Sequence, residues 1–348
     1  MSQDESRLAA VVPYGRAGAS SRVRVFDWLD ALGLDADVFD FAGLPNNSGR
    51  SLARHPMATL RAVLVTTGRL SSGRRLLLSR EASPLSTGGV ERSLMRHAAH
   101  GVYDFDDALF HDVGSGVRRR FSKAVKCREA AVAADRVIAG NEYLADWASG
   151  LNDSVTVIPS CVDPTRYTVK TTWDLGEVPR LLWMGSGSTE QFLQSIAGPL
   201  LRVNEILGAR LTVVSALSDR SLGELDRMVD RVAWTADGFA HMLALGDVGI
   251  APLDDTDYAR GKCAYKLIQY AASGLPVVGS PVGANTLALR RFDGLAPETD
   301  DEWVDALLLS LSEPASQREA RARAGLAAVG EWYSFDRWKA TWRDVVLG

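Results

Sequence analysis

The chain has 348 residues, 46% of them hydrophobic and 24% charged, with a formal net charge of −4. That is the profile of a soluble globular protein with room for two cores of about 150 residues each, and the mildly acidic total argues against a general nucleic-acid binder. The three cysteines, Cys127, Cys161 and Cys263, form no CxxC pair and have no histidine at ligand spacing, so neither a disulfide framework nor a structural zinc site is indicated.

Short apolar runs alternate with amphipathic stretches, as expected of α/β layers built on parallel sheets. In the first half the predicted strands are Leu8 to Val12, Asp37 to Phe41, Arg75 to Ser79, Gly101 to Phe105, Arg136 to Ala139 and Val155 to Ile158. Predicted helices between them are Ser21 to Leu32, Val90 to Ala99, Val117 to Ala134 and Glu142 to Ala148. The stretch from Pro159 to Pro179 has three prolines and no helical period, and reads as an interdomain linker. The alternation then restarts with strands at Arg180 to Met184, Arg210 to Ser215, Arg231 to Trp234, Val248 to Ala251 and Pro276 to Gly279. Helices are predicted at Thr189 to Leu207, Ser221 to Val229, Phe239 to Leu245, Tyr265 to Ser273 and in three runs after Asp300. No apolar run approaches the roughly 18 to 20 residues that cross a bilayer. The opening MSQDESRLAAVVPYG does not have the pattern of a signal peptide, so the expected compartment is the cytoplasm.

Lysine is rare, six residues against thirty-three arginines, yet Lys262 and Lys266 both lie at the predicted start of one helix. Cations there are locally unfavourable by roughly 0.3 to 1 kcal/mol unless an anion occupies the site, so the pair points to a phosphate or carboxylate ligand; two solvated surface lysines are the plainer reading. After the first strand comes the turn Gly15-Arg16-Ala17-Gly18-Ala19-Ser20-Ser21-Arg22, with Ser20 or Ser21 as N-cap. It is not GxGxxG, so a dinucleotide site is not supported. Tyr103-Asp104-Phe105-Asp106-Asp107 gathers three acids at a strand end, a pattern for metal binding, for a general base or for helix capping. The histidines His97, His100, His111 and His241 show no triad pattern. Arg118-Arg119-Arg120, Lys123, Lys126 and Arg128 form a basic run, read as a solvated helix face or as a surface for anionic membrane.

The segment GKCAYKLIQYAASGLPVVGSPVGAN, residues 261 to 285, resembles the donor-site segment of the retaining glycosyltransferases of family 4, which have the GT-B fold. YDFDDALF at 103 to 110, AGNEYLADWA at 139 to 148, VIPSCVDPTRY at 157 to 167, LLWMGSGST at 181 to 189 and DVGIAPL at 247 to 253 fall in that family's order. The resemblance implies an α/β protein of two Rossmann-like doubly wound domains facing a cleft. The acceptor domain would span residues 1–165, the linker 166–179 and the nucleotide-sugar domain 180–330, with a C-terminal helix at 331–348 packing back on the first domain. It also implies transfer of a hexose or amino-hexose from a nucleoside diphosphate sugar, a UDP-sugar before a GDP-sugar, to a hydroxyl of a small-molecule acceptor. No metal or cofactor is implied, and neither nucleic acid nor membrane is the favoured partner.

The family's Glu-x7-Glu motif falls on Gly261 and Gln269, so both carboxylates are replaced. Glutamine retains one acceptor and two donors for a ribose. Family members follow the first strand of the second domain with an arginine and a lysine, where this chain has Gly185-Ser186-Gly187-Ser188-Thr189; Lys262 and Lys266 are expected to supply the missing charge. The resemblance further implies donor contacts from Gly15, Gly18, Gly185, Ser186, Cys263 and Ala264, phosphate contact from Arg22 or Arg24, and base contact from Trp234 and Thr235. Asp106 and Asp107 would recognise the acceptor, with Asp104 a structural cap.

Overall fold

Strands buried on both faces read as near-continuous apolar runs, and Leu8–Val12, buried throughout, is such a run. The computed structural model describes residues 8–41, 54–57, 73–114, 116–216 and 221–348, with the side chains of Val117 and Arg118 outside the described set. Residues 1–7, which carry most of the polar opening read above, also lie outside it. Two units divide the chain: Met1–Ser160 with Arg260–Cys263 and Trp338–Gly348, and Cys161–Ala259 with Ala264–Arg337.

In the first unit, β1 (Leu8–Val12), β2 (Ala36–Asp40), β3 (Arg75–Ser79), β4 (His100–Phe105), β5 (Arg136–Ala139) and β6 (Val155–Val157) form one sheet in the order β2-β1-β3-β4-β5-β6. Every pairing is parallel; Leu8, for example, lies opposite Ala36 on one side and Arg75 on the other. The strand order reverses at β1, so its switch point lies between β1 and β3, where ligands of open parallel sheets bind. Ala19–Ser21, Arg22–Phe26 and Asp27–Leu32 follow one another as helix, the middle piece with the wider π spacing. Trp28 of this helix stacks on Trp342 with centroids 5.5 Å apart, and the Val345 carbonyl lies 2.8 Å from His100 Nε2. The C-terminal residues thus pack within the first unit, as expected.

The second unit has β7 (Arg180–Met184), β8 (Arg210–Ser215), β9 (Val229–Ala233), β10 (Val248–Ala251) and β11 (Val277–Gly279), ordered β11-β10-β7-β8-β9 and again all parallel. Its switch point lies between β7 and β10. The stretch read as a linker is anchored within this unit: Lys170 Nζ donates to the Gly246 carbonyl at 2.8 Å and pairs with Asp247, and Trp173 Nε1 donates to the Gly274 carbonyl.

Three predicted helices differ. Val117 to Ala134 is a 3-10 stretch, Gly116–Phe121, then Ser122, then a helix Lys123–Ala133. Thr189 to Leu207 divides into Gln191–Gln194 and Ala197–Leu207. Ser221 to Val229 forms only the short 3-10 turn Gly223–Arg227, because Val229 already belongs to β9.

Candidate functional site

Both switch points carry residues singled out in the sequence, and each is described within its own unit. In the first unit the Gly15–Gly18 turn leaves β1 and closes with Gly18 N–H donating to the Gly15 carbonyl at 2.8 Å. Gly18, not Ser20 or Ser21, is the N-cap, and it has no side chain to satisfy the first turn. Ser21 instead accepts from the Tyr14 N–H, and Ser20 accepts from Arg80. Arg22 follows, half-buried, on the π-spaced turn.

Arg24 does not reach outward toward a phosphate. It is 1% exposed, and its guanidinium forks the Asp104 carboxylate, with Nη2 to Oδ2 at 2.6 Å, while Nη1 donates to the Ile158 carbonyl. Burial alone would lower the basicity of this group, but Asp104 outweighs that and raises it. Asp104 is therefore the counter-ion of a buried arginine rather than a cap.

Asp106 and Asp107 follow directly after β4, their side chains 14% and 19% exposed. Arg80 Nη1 lies 3.0 Å from Asp106 and 2.9 Å from Asp107, and Lys262 Nζ lies 3.4 Å from Asp107. Burial pushes the Asp106 carboxyl up, with Asp107 and Asp104 adding to the effect. Burial acts in the same direction on Asp107, but Arg80 and Lys262 outweigh it and hold that carboxyl below the usual range. The three acids are thus matched by three cations, Arg24, Arg80 and Lys262.

Sequence reasoning passed over Arg80, although a cation directly after an apolar strand is a visible signal. Its φ of +64° lies in the left-handed region, which costs a non-glycine residue about 1 to 3 kcal/mol. Three sets of contacts hold it there: its N–H donates to the Asp104 carbonyl, its carbonyl accepts from the Tyr103 hydroxyl, and its guanidinium bridges Ser20 and the two carboxylates. Asn141 was missed too. It caps the helix Glu142–Ser149, accepting from the Leu144 N–H, and its amide donates to the Lys262 carbonyl at 3.0 Å. Cys263 points its thiol at the Asp106 carbonyl, 3.3 Å away, and burial pushes that thiol up. At Gly261 an added Cβ would lie 2.5 Å from the Ala108 Cβ and 2.6 Å from the Ala108 nitrogen.

Behind Arg80, the loop to residue 91 rests on buried polar groups. Lys126 of the basic run is 1% exposed and donates to Glu81 and to the Ser83 carbonyl, both at 2.7 Å. Lys123 pairs with Asp112 at 3.1 Å. The run is therefore not one solvated face, and only Arg119, Arg120 and Arg128 stand exposed among its described side chains. Among the described residues no helix is long and apolar enough to cross a membrane. Glu91, fully buried, accepts from the Ser86 hydroxyl and the Ala82 N–H, and burial raises its carboxyl. A raised folded-state value contributes stability that is complete below about pH 4.3, the unfolded value, and is lost as pH rises through the folded value. Glu91→Gln removes that loss, so the variant is expected to melt above wild type at pH 8 and level with it at pH 4. An unchanged difference across that range in thermal melts would refute the assignment.

In the second unit the Gly185–Thr189 loop leaves β7 at the switch point. Gly185 N–H donates to the Val214 carbonyl at 3.0 Å, carrying the β7–β8 pairing one residue past Met184. A Cβ on Gly185 would lie 2.5 Å from the buried Trp183 ring. Lys266 Nζ sits 5.5 Å from the centroid of the same ring, so one indole carries both the loop and the cation. Glu190, fully buried and also missed, accepts from Ser215 and pairs with Arg231 at 3.2 Å, tying the loop's far end to the end of β8 and the middle of β9. Ser186 bonds Ser188 at 2.9 Å inside the loop.

Ala264, with φ +54°, precedes the helix Tyr265–Ala272 and leaves its first turn without a side-chain cap. Gln269 is 6% exposed, and its amide donates to the Tyr167 hydroxyl at 3.3 Å. Tyr167 meets Phe239 edge to face, and Trp234 stacks on Phe239 at 6.0 Å. Thr235 accepts from the Gly238 N–H and turns the chain into the helix Phe239–Ala244. The structure thus groups Gly15, Gly18, Arg22, Asp106, Asp107, Gly261, Lys262 and Cys263 in the first unit. Gly185, Ser186, Trp234, Thr235, Ala264, Lys266 and Gln269 fall in the second.

No protein-family model matches the sequence, and no curated protein matches it. Solved structures do match over nearly the whole chain. WaaG, a glycosyltransferase involved in lipopolysaccharide biosynthesis, superposes with a TM-score of 0.68 at 15% identity, covering 98% of this chain and 100% of its own. HepE of Anabaena, solved with UDP and glucose, gives 0.69 at 15% identity, covering 97% and 98%. The UDP-forming α,α-trehalose-phosphate synthase of Burkholderia vietnamiensis gives 0.65 at 12% identity, covering 98% and 99%. At these identities the likeness shows the fold: two Rossmann-like domains in the GT-B architecture.

Proposed function

We propose that the protein is a retaining glycosyltransferase that moves a hexose or amino-hexose from a nucleoside diphosphate sugar to a hydroxyl of a small-molecule acceptor. An aminocyclitol, a sugar or a secondary metabolite fits that description. The observation that carries the reading is the shared Trp183 ring, which sets Lys266 beside the Gly185 loop at the switch point of a GT-B domain. UDP in the HepE structure and UDP formation by the trehalose-phosphate synthase support a uridine diphosphate sugar.

In this reading Lys266, Lys262 and Arg22 stabilise the departing diphosphate, and cations placed where charge develops lower the barrier. Trp234 and Thr235 lie toward the base, Gln269 toward the ribose, with Gly15, Gly18, Ser186, Cys263 and Ala264 lining the donor. The acceptor hydroxyl meets Asp106 and Asp107 and attacks on the face the diphosphate leaves, which gives retention without an enzyme nucleophile. Because protein cations carry the phosphate charge, the reading needs no metal, and transfer should persist in a chelator.

Thermal shift with UDP-, GDP- and dTDP-sugars tests the donor, since a ligand at 100 times its Kd stabilises by about 2.7 kcal/mol. NMR of the product anomer tests retention, and an inverted product rejects it. Release of UDP from a bound donor separates an enzyme from a nucleotide-sugar-binding protein without activity. Co-sedimentation with anionic liposomes, abolished by changing Arg119, Arg120 and Arg128, would favour a lipid-linked acceptor instead.

A further inference from the structure

We infer that Arg80 is a positioning residue that fixes the direction and ionisation of the Asp106–Asp107 pair, which rests on the reading of that pair as the acceptor end. Three observations converge on it. First, Arg80 follows β3 while Ser20 follows β1, and the 3.0 Å bond from Arg80 Nη1 to Ser20 Oγ spans the switch point between those strands. Second, one guanidinium nitrogen reaches a carboxylate oxygen of both aspartates, at 3.0 and 2.9 Å, so turning either carboxylate away loses an ion pair with the same cation. Third, the backbone holds a left-handed conformation that an arginine does not choose unaided, and the Asp104 carbonyl and Tyr103 hydroxyl keep it there.

The groups that face the pair come from every neighbouring element of the first unit. Arg24 and Ser20 come from the helix after β1, Arg80 from the end of β3 and Asp104 from β4. Lys262 and Cys263 come from the 260–263 segment. Of the cations, Arg24 forks the Asp104 carboxylate, and Lys262 lies 3.4 Å from Asp107. Arg80 bridges both carboxylates from a single nitrogen, which places it to set how the two adjacent acids titrate and where they point. If Lys262 turns to a donor phosphate, Arg80 remains the cation for both, and the pair gains one net negative charge toward an incoming hydroxyl.

The test uses the whole protein with two substitutions, Arg80→Lys and Arg80→Gly. Glycine accepts the left-handed backbone and so removes the guanidinium while relieving strain. Carboxyl ¹³C NMR, assigned through Asp106→Asn and Asp107→Asn, reads the pair's titration. In Arg80→Gly its apparent midpoints should rise by about one pH unit or more, and Arg80→Lys should fall between. With UDP-glucose as donor and water as acceptor, Arg80→Gly should lower kcat roughly tenfold or more, leave KM for UDP-glucose within about twofold, and move the acid limb of the pH–rate profile upward. A titration that does not move overturns the assignment. So does a raised KM for UDP-glucose at unchanged kcat, which would make Arg80 a phosphate ligand. Failure of the wild-type protein to release UDP rejects the transferase reading alone, because the titration still decides what Arg80 does.

Discussion

Lys266→Met is expected to weaken UDP-glucose binding roughly ten- to a hundredfold, the value of one charge-assisted bond to a diphosphate at about 1.5 to 3 kcal/mol. Methionine keeps an unbranched stem over the Trp183 ring, so packing survives and only the charge leaves. The cation–π contact itself is worth about 0.5 to 1 kcal/mol, which bounds the accompanying loss of stability. Lys262→Met is expected to weaken the donor less, because Lys262 already has Asp107 at 3.4 Å and a phosphate must compete with that carboxylate. Isothermal titration with UDP at low and moderate salt measures both. The proposed role of Lys266 fails if its removal leaves the Kd unchanged while Lys262→Met raises it.

The strands were legible because parallel strands buried on both faces read as short, mostly apolar runs; Leu8–Val12 and Arg180–Met184 have the bounds those runs predict. Helix breaks were less legible. Lys123–Ala133 begins only after Ser122, and nothing in a continuous amphipathic run marks such a step. The buried charges were misread for a different reason. Arg24 and Lys126 look like surface cations in one dimension because their partners, Asp104 and Glu81, lie 80 and 45 residues away. Burial of a charge depends on its counter-ion, and that pairing is a tertiary fact. Arg80 stands visibly after an apolar strand, but the left-handed backbone that aims it has no sequence signature, whereas its partners Asp106 and Asp107 drew notice as an acidic cluster. The Gly-rich turns were recognised, but Gly18 caps the first helix and Gly185 donates to Val214, details that depend on how each turn folds.

Placing glutamates at 261 and 269, where the resembled family carries its Glu-x7-Glu pair, should succeed at one position and fail at the other. Gly261→Glu places a Cβ 2.5 Å from the Ala108 Cβ and 2.6 Å from its nitrogen, and main-chain atoms cannot step aside as a flexible side chain would. The segment cannot easily retreat either, because Asn141 holds the Lys262 carbonyl and Cys263 is seated against Asp106. Overpacking of this kind costs about 1 to 3 kcal/mol, so Gly261→Ala should already be destabilised by that much. Glutamate adds a second negative term beside Asp106 and Asp107, and a total loss above about 3 kcal/mol is expected in urea unfolding. Gln269→Glu meets no such obstacle. The Tyr167 hydroxyl, which now accepts from the Gln269 amide, can donate to a carboxylate instead, so the contact reverses rather than breaks. That variant should fold and, if Gln269 holds the ribose as proposed, keep or improve UDP affinity, since a carboxylate can accept from both ribose hydroxyls. A Gly261→Glu protein as stable as wild type would show that the close approach to Ala108 is not what excludes a side chain there. The missing acid at 261 would then have to be explained by specificity rather than space.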